Sequence, residues 1–224
     1  MNTHVKLLAC GLAGSAAVAV SACGSSAPKE PSAADLQSSM QAAVRSASSV
    51  HLDGQTTEST GSVKVNIGVH RTGELSGTVT QNGANVDVLK VSNKAYVKLT
   101  PQFLKQFNAP PSACSLVCGK WVQLRPSQAS QTNQLSMQNV AAHVAATKLS
   151  SYKEVGSTTV NGKQAWALRA PNGAEIDVSS QGTPYPLRST QGNGHGVIHY
   201  SQWNAVPHPA APPANQVVNL SGLH

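Results

Sequence analysis

From Val50 onward the chain alternates between apolar and polar positions. Val63, Val65, Ile67 and Val69 take every second place, with Lys64, Asn66, Gly68 and His70 between them. That period of two is the pattern of a strand with one buried face. Gly61-Ser62 and Thr72-Gly73 punctuate its ends. Leu75 and Val79 carry the alternation into the next strand, and Gln81-Asn82-Gly83 predicts a hairpin turn. Val86 and Val88 stay in phase, whereas Leu89 and Val91 fall out of it, which predicts either a bulge or a strand buried on both faces. Ser92-Asn93 then turns the chain into Ala95-Tyr96-Val97-Lys98-Leu99. Connections this short join antiparallel neighbours, so a meander is expected.

Helical periods flank this region. Ser32, followed three residues on by Asp35, is a capping pattern behind Pro31. Leu36, Met40, Ala43, Val44 and Ala47 recur at helical spacing, predicting an amphipathic helix over residues 33–48 with a narrow, small-residue stripe. Thr100-Pro101 opens a short helix carrying Phe103, Leu104 and Phe107. After Gly119-Lys120-Trp121-Val122-Gln123-Leu124, residues 127–149 predict a second main helix, with Met137, Val140, Ala141 and Val144 on one face and His143 at its edge. Beyond Tyr152 the strand pattern resumes. Val160-Asn161-Gly162-Lys163 and Pro171-Asn172-Gly173 are turns, Trp166, Leu168, Ile176 and Val178 alternate, and a last strand runs from about Val197 to Trp203. From Val206 the chain is rich in Pro and Ala, and Val217-Val218-Asn219-Leu220 either adds an edge strand or trails. Helix, strands, helical insertion, strands: the economical assembly is an α+β domain over residues 32–205, a large antiparallel sheet with helices on one face, followed by a tail over residues 206–224.

The amino end changes the picture. Lys6, His4 and the terminal amine form a weakly positive start, and Leu7 to Val20 is an uncharged apolar run. It falls short of the roughly 20 residues that a spanning helix needs and suits a signal peptide. Val20-Ser21-Ala22-Cys23 reads as a lipobox, with small side chains at the bond to be cut and the Cys23 thiol as acceptor of a diacylglyceryl group. Residues 1–22 are thus expected to be removed and 23–31 to tether an extracytoplasmic domain to the membrane through acylated Cys23. The formal charge of +7 would ordinarily raise nucleic-acid binding. Here Lys and Arg are scattered singly without interleaved aromatics, so no nucleic acid is expected and the basic surface suits an anionic membrane or wall.

Cys10 leaves with the signal peptide, and Cys114 and Cys118 remain. Outside the cytoplasm two thiols this close predict a disulfide closing a small loop. No further ligands are spaced to make them a metal site. His195 and His199 are four apart, but on a strand they stand roughly 13 Å from each other, too far for one ion. The chain lacks a Gly-x-Ser-x-Gly elbow and a His-Glu-x-x-His helix, and Gly192-Asn193-Gly194-His195-Gly196 has neither the Lys-Ser/Thr pair nor the following helix of a phosphate loop. Neither an enzyme nor a cofactor is expected.

With the lipobox and tether, several segments resemble the actinobacterial LppX/LprG-type lipoproteins, relatives in fold of the LolA/LolB carriers. They are Ser49-Val50-His51-Leu52 after the opening helix, Ala95-Tyr96-Val97-Lys98, Gly119-Lys120-Trp121-Val122, Val160-Asn161-Gly162, Trp166-Ala167-Leu168, and Gly182-Thr183-Pro184-Tyr185-Pro186-Leu187-Arg188. The resemblance implies a curved half-barrel with helices across its concave face and an apolar cavity in which family members hold acyl chains of lipids or glycolipids. An acyl chain asks only for non-directional apolar surface, each buried methylene contributing about 0.8 kcal/mol. The candidate lining positions are Val63, Val65, Ile67, Val69, Val86, Val88, Phe103, Phe107, Val140 and Val144. A membrane-anchored, monomeric lipid or glycolipid binder is one expectation. An anchored protein-interaction or envelope-sensing module with a filled core is the other, since alternating Val facing helices is also what ordinary core looks like. The Cys114–Cys118 loop and the Pro-rich tail do not map onto the family.

Overall fold

Residues 30–58, 61–146, 152–192 and 194–219 are described by a computed structural model; the expected signal peptide and lipobox, with Cys23, lie outside them. Two meanders make the sheet. The first is β1 (Ser49–Glu58), β2 (Gly61–His70), β3 (Leu75–Gln81), β4 (Ala84–Val91), β5 (Lys94–Leu99) and β6 (Trp121–Gln123). The second is β7 (Lys153–Val160), β8 (Lys163–Arg169), β9 (Glu175–Ser179), β10 (Pro186–Thr190) and β11 (Gly196–Ser201). β1 pairs antiparallel with β11, His51 opposite Ser201, and so splices the two into one unclosed, curved sheet. A twelfth strand, β12 (Val217–Asn219), pairs with β6 and is the one parallel neighbour among the described strands.

The turns are local chemistry. Asn82 and Gly83 have φ of 48° and 82°, Ser92 and Asn93 49° and 63°, Asn161 and Gly162 48° and 78°. Two successive left-handed residues are the hairpin turn whose twist matches the flanking strands. The phase change in β4 resolves as burial on both faces. Its register with β3 and β5 is unbroken. Val86 and Val88 face the helices, while Leu89 and Val91 pack on the opposite face with Tyr96, Trp121 and Val217.

One face carries the helices. In α1 (Ala33–Ser46) the Ser32 hydroxyl accepts from the Asp35 amide at 3.1 Å, and Leu36, Met40, Ala43 and Val44 are buried. At its other end Arg71, from the β2–β3 turn, donates to the carbonyls of Val44, Arg45 and Ala47, placing a cation on the negative end of the helix. The second main helix departs from expectation. Residues 127–149 do not form one rod: α4 (Pro126–Ala129) gives way to a 3₁₀ turn over Ser130–Gln134, and α5 (Met137–Ala146) starts afresh. The run Ser127 to Gln134 is mostly Ser, Gln, Thr and Asn, whose side chains return to nearby backbone carbonyls, as Ser130 and Thr132 do, so it has no apolar stripe to hold a helix down. Leu135 leaves helical geometry at ψ 70°, and the Ser136 hydroxyl caps the new start through the Asn139 amide. The core under α1 and α5 joins Met40, Val44, Ile67, Val69, Val86, Val88, Val140, Val144, Leu168, Ile176 and Val178 in one cluster.

Between β5 and β6, α2 (Pro101–Gln106) is capped by Thr100, and α3 (Pro111–Val117) carries Cys114, with Cys118 as its C-cap. Cys114 and Cys118 form a disulfide, as expected. The bridge spans only one helical turn, and closing a loop of about five residues limits an unfolded chain by about 2 kcal/mol at most. Reduction is therefore expected to lower stability by no more than that and to leave the far-ultraviolet circular dichroism of the sheet unchanged; a collapse of the sheet signal would contradict the placement.

Candidate functional site

A groove of about 440 Å³ opens on the helix-covered face near one end of the sheet. β1 supplies Gln55 and Thr56, α5 supplies His143, and Tyr152 stands beside it. The β9 end contributes Ala174, Glu175 and Ile176, the end of β10 Ser189 and Thr190, the turn after it Gln191 and Gly192, and β11 Gly196 and Ile198. Apolar and polar groups are segregated. Ile176, Ile198 and Tyr152 adjoin the central cluster, whereas the amides and hydroxyls crowd the turn. Glu175 brings no net charge of its own, because Arg169 and Arg188 each hold it at 2.6 Å. Burial raises the Tyr152 phenol above its ordinary pKa of 10.0, so it remains a neutral donor at the rim. On the floor the Ser189 hydroxyl meets the buried Tyr200 hydroxyl at 3.0 Å.

The ten positions expected to line a cavity lie elsewhere. Ile67, Val69, Val86, Val88, Val140 and Val144 are at most 9% exposed inside the central cluster. Val65 and Phe103 pack against that cluster from its margin, and Val63 is half-buried. Phe107 is 63% exposed. It sits at the C-cap of α2, past the last helical turn, and covers Phe103 from outside with ring centroids 4.9 Å apart.

The uncovered face holds what the sequence did not disclose. In register across the strands run Asp177, Arg188, His199, Asp53, Asn66, Thr78, Asp87 and Lys98, a polar row transverse to the sheet. Arg188 Nε donates to Asp177 at 2.6 Å, Asn66 to Asp53 at 2.7 Å, and Thr78 to Asp87 at 2.9 Å. Asp177 is fully buried, and burial raises its pKa above the ordinary 3.8 against the opposing pull of Arg188. No signal marks this row in the sequence, because each member comes from a different strand.

The chain that leads into the Pro-rich segment is pinned at Trp203 and Asn204. Trp203 Nε1 donates to the Pro186 carbonyl at 3.1 Å, Tyr185 stacks on Trp203 at 4.5 Å, and the Asn204 amide oxygen accepts from the Ser48 backbone at 2.6 Å. Val206 lies over Gly68, where an added Cβ would meet its methyl at 2.5 Å, so only glycine lets the chain pass that close. The segment then crosses to the far edge and ends as β12, the strand alternative for residues 217–219. On the way it brings His208 against His70 and Glu74.

Against known proteins, no family model and no curated sequence matches the chain. Solved structures do. LprF from Mycobacterium bovis superposes with a TM-score of 0.56 at 14% identity, over 81% of this chain and 97% of that one. The Mycobacterium tuberculosis lipoprotein LppX gives 0.48 at 18% identity, over 79% and 99%. The likeness to LprF gives the chain that lipoprotein's fold, an open, curved α+β half-barrel, as the resemblance implied. No described helix is long and apolar enough to cross a membrane.

Proposed function

We propose that this protein is an extracytoplasmic lipoprotein, held at the membrane by acylated Cys23, that takes the acyl part of an amphiphile into the groove between α5 and the β9–β11 strands. The observation that carries this reading is the groove: about 440 Å³, within the range of about 300–1,000 Å³ typical of small-molecule sites. Ile176 and Ile198 face a tail, and the polar groups at the end of β10 and in the turn after it, Thr190 and Gln191, face a headgroup. The likeness in fold to LprF supports the same reading.

The packing of the central cluster favours a second reading. The six most buried candidate positions touch core, not space, which suits an anchored interaction or sensing module without a ligand. Detergent-extracted protein distinguishes the two. The carrier is expected to release about one equivalent of acyl lipid into organic solvent, detected by mass spectrometry, and Ile198→Trp, which fills the groove, to release several-fold less. Lipid-free wild-type protein that also takes up no added lipid overturns the carrier reading and leaves the second.

A further inference from the structure

His70, Glu74 and His208 come together on the uncovered face, far from the groove. One ligating atom of each lies within 4.8 Å of the others. His70 ends β2, Glu74 begins the return into β3 across a tight turn, and His208 arrives from the carboxy-terminal segment. The imidazoles of His70 and His208 stack at 4.2 Å, and His208 Nδ1 stands 2.6 Å from the Glu74 carboxylate. His70 is 3% exposed, with Nε2 at 3.2 Å from the Pro207 carbonyl; a carbonyl only accepts, so that nitrogen carries the proton there. The Glu74 carboxylate also accepts from the Thr72 hydroxyl at 3.2 Å, and its pKa lies below the ordinary 4.5, chiefly through the hydrogen bond from His208.

We propose that His70, Glu74 and His208 form a three-ligand site for a divalent transition metal of the zinc class, which fastens the carboxy-terminal segment to the β2–β3 hairpin. Two imidazoles and a carboxylate are ligands of borderline metals such as Zn²⁺, Co²⁺ or Ni²⁺; Mg²⁺ and Ca²⁺ prefer all-oxygen sets. The size fits. Three atoms no more than 4.8 Å from one another share a point within about 2.8 Å of each, so shifts of at most roughly 0.7 Å inward bring them to a Zn–N distance of about 2.1 Å. The side chains that must move are free to do so: those of His208 and Glu74 are 68% and 24% exposed. The backbone carrying His208 is held independently, through Asn204 on one side and β12 on the other, so the ligand is presented whether or not metal is bound. Solvent supplies the fourth position.

The test uses the full chain without a histidine tag, titrated with ZnCl₂ against a chromogenic chelator near neutral pH. One equivalent of Zn²⁺ is expected, with a rise in the melting temperature. Losing a mere outer partner of a metal ligand weakens affinity about 10–100-fold, so His208→Ala and Glu74→Gln are each expected to weaken it at least about 100-fold and to abolish the metal-dependent rise. His208→Asp, which restores a ligand, should recover part of both. If wild type takes up no zinc at micromolar concentrations, the cluster is an ion pair with a stacked ring and the proposal falls. It falls equally if both variants bind as wild type does, since other histidines then carry the metal.

Discussion

Arg188→Met is expected to destabilise the domain by about 3 kcal/mol in chemical denaturation at neutral pH. Asp177 has no exposed surface, and Arg188 Nε sits 2.6 Å from its carboxylate. Removing one member of a buried ion pair leaves the other charge desolvated and unpaired, at a cost of about 3–5 kcal/mol. The Arg188 side chain is 32% exposed, which puts the effect at the lower end. The double change Asp177→Leu with Arg188→Met removes both charges and is expected to recover most of the loss. The defect also depends on pH. Burial already raises the folded-state pKa of Asp177, and losing Arg188 raises it further. A carboxyl whose pKa is raised on folding binds its proton more tightly in the native state. The stability this lends is full below the unfolded value, near 3.8, and is lost as pH rises through the folded value. The difference between Arg188→Met and wild type is therefore expected to shrink on acidification towards pH 3.8. A difference that stays constant would exclude Asp177 as its source.

Met40→Ala is expected to cost about 3 kcal/mol, within the 2–5 kcal/mol typical of a buried methionine cut to alanine. Met40 is 0% exposed on the underside of α1, in the cluster that joins both helices to the sheet. Truncation removes the side chain where the surrounding Val and Leu are too short to refill the space. Guanidinium unfolding followed by tryptophan fluorescence measures it. A loss below 1 kcal/mol would mean that α1 rests on the sheet without packing into it. Such looseness would make room for a ligand beneath the helix.

What the sequence made legible was chemistry acting over a few residues. Asn82-Gly83, Ser92-Asn93 and Asn161-Gly162 name their own turns, because left-handed backbone is a property of those residues and not of their surroundings. Ser32 with Asp35 names the start of α1, whereas the lost phase at Leu89 left a bulge and a second buried face equally open until the unbroken register decided for the second. Illegible were the meetings of distant segments. Nothing in His51 or Ser201 says that β1 and β11 are neighbours, and nothing in a Pro- and Ala-rich stretch says that it crosses the sheet to pair with Trp121–Gln123. The groove fell to the same limit. Alternation marked Ile67, Val69, Val86 and Val88 correctly as buried, but burial against helices and burial against a ligand share one pattern. Ile176 and Ile198 in the groove share that pattern, and the polar residues beside them, such as Gln55, Thr190 and Gln191, sit at strand ends and in a turn without a period to betray them. Phe107 failed for a simpler reason: helical spacing from Phe103 continues on paper past the point where α2 stops.

The parallel pairing of β12 on β6 bears on how the protein reaches its finished form. Synthesis from the amino end delivers Trp121–Gln123 long before Val217–Asn219. Until that final stretch emerges, the rim of the sheet offers bare amides and carbonyls to any passing strand. The last pairing of the sheet must then wait until residues 217–219 have been made, and a fusion placed just after them would lie beside its outermost strand.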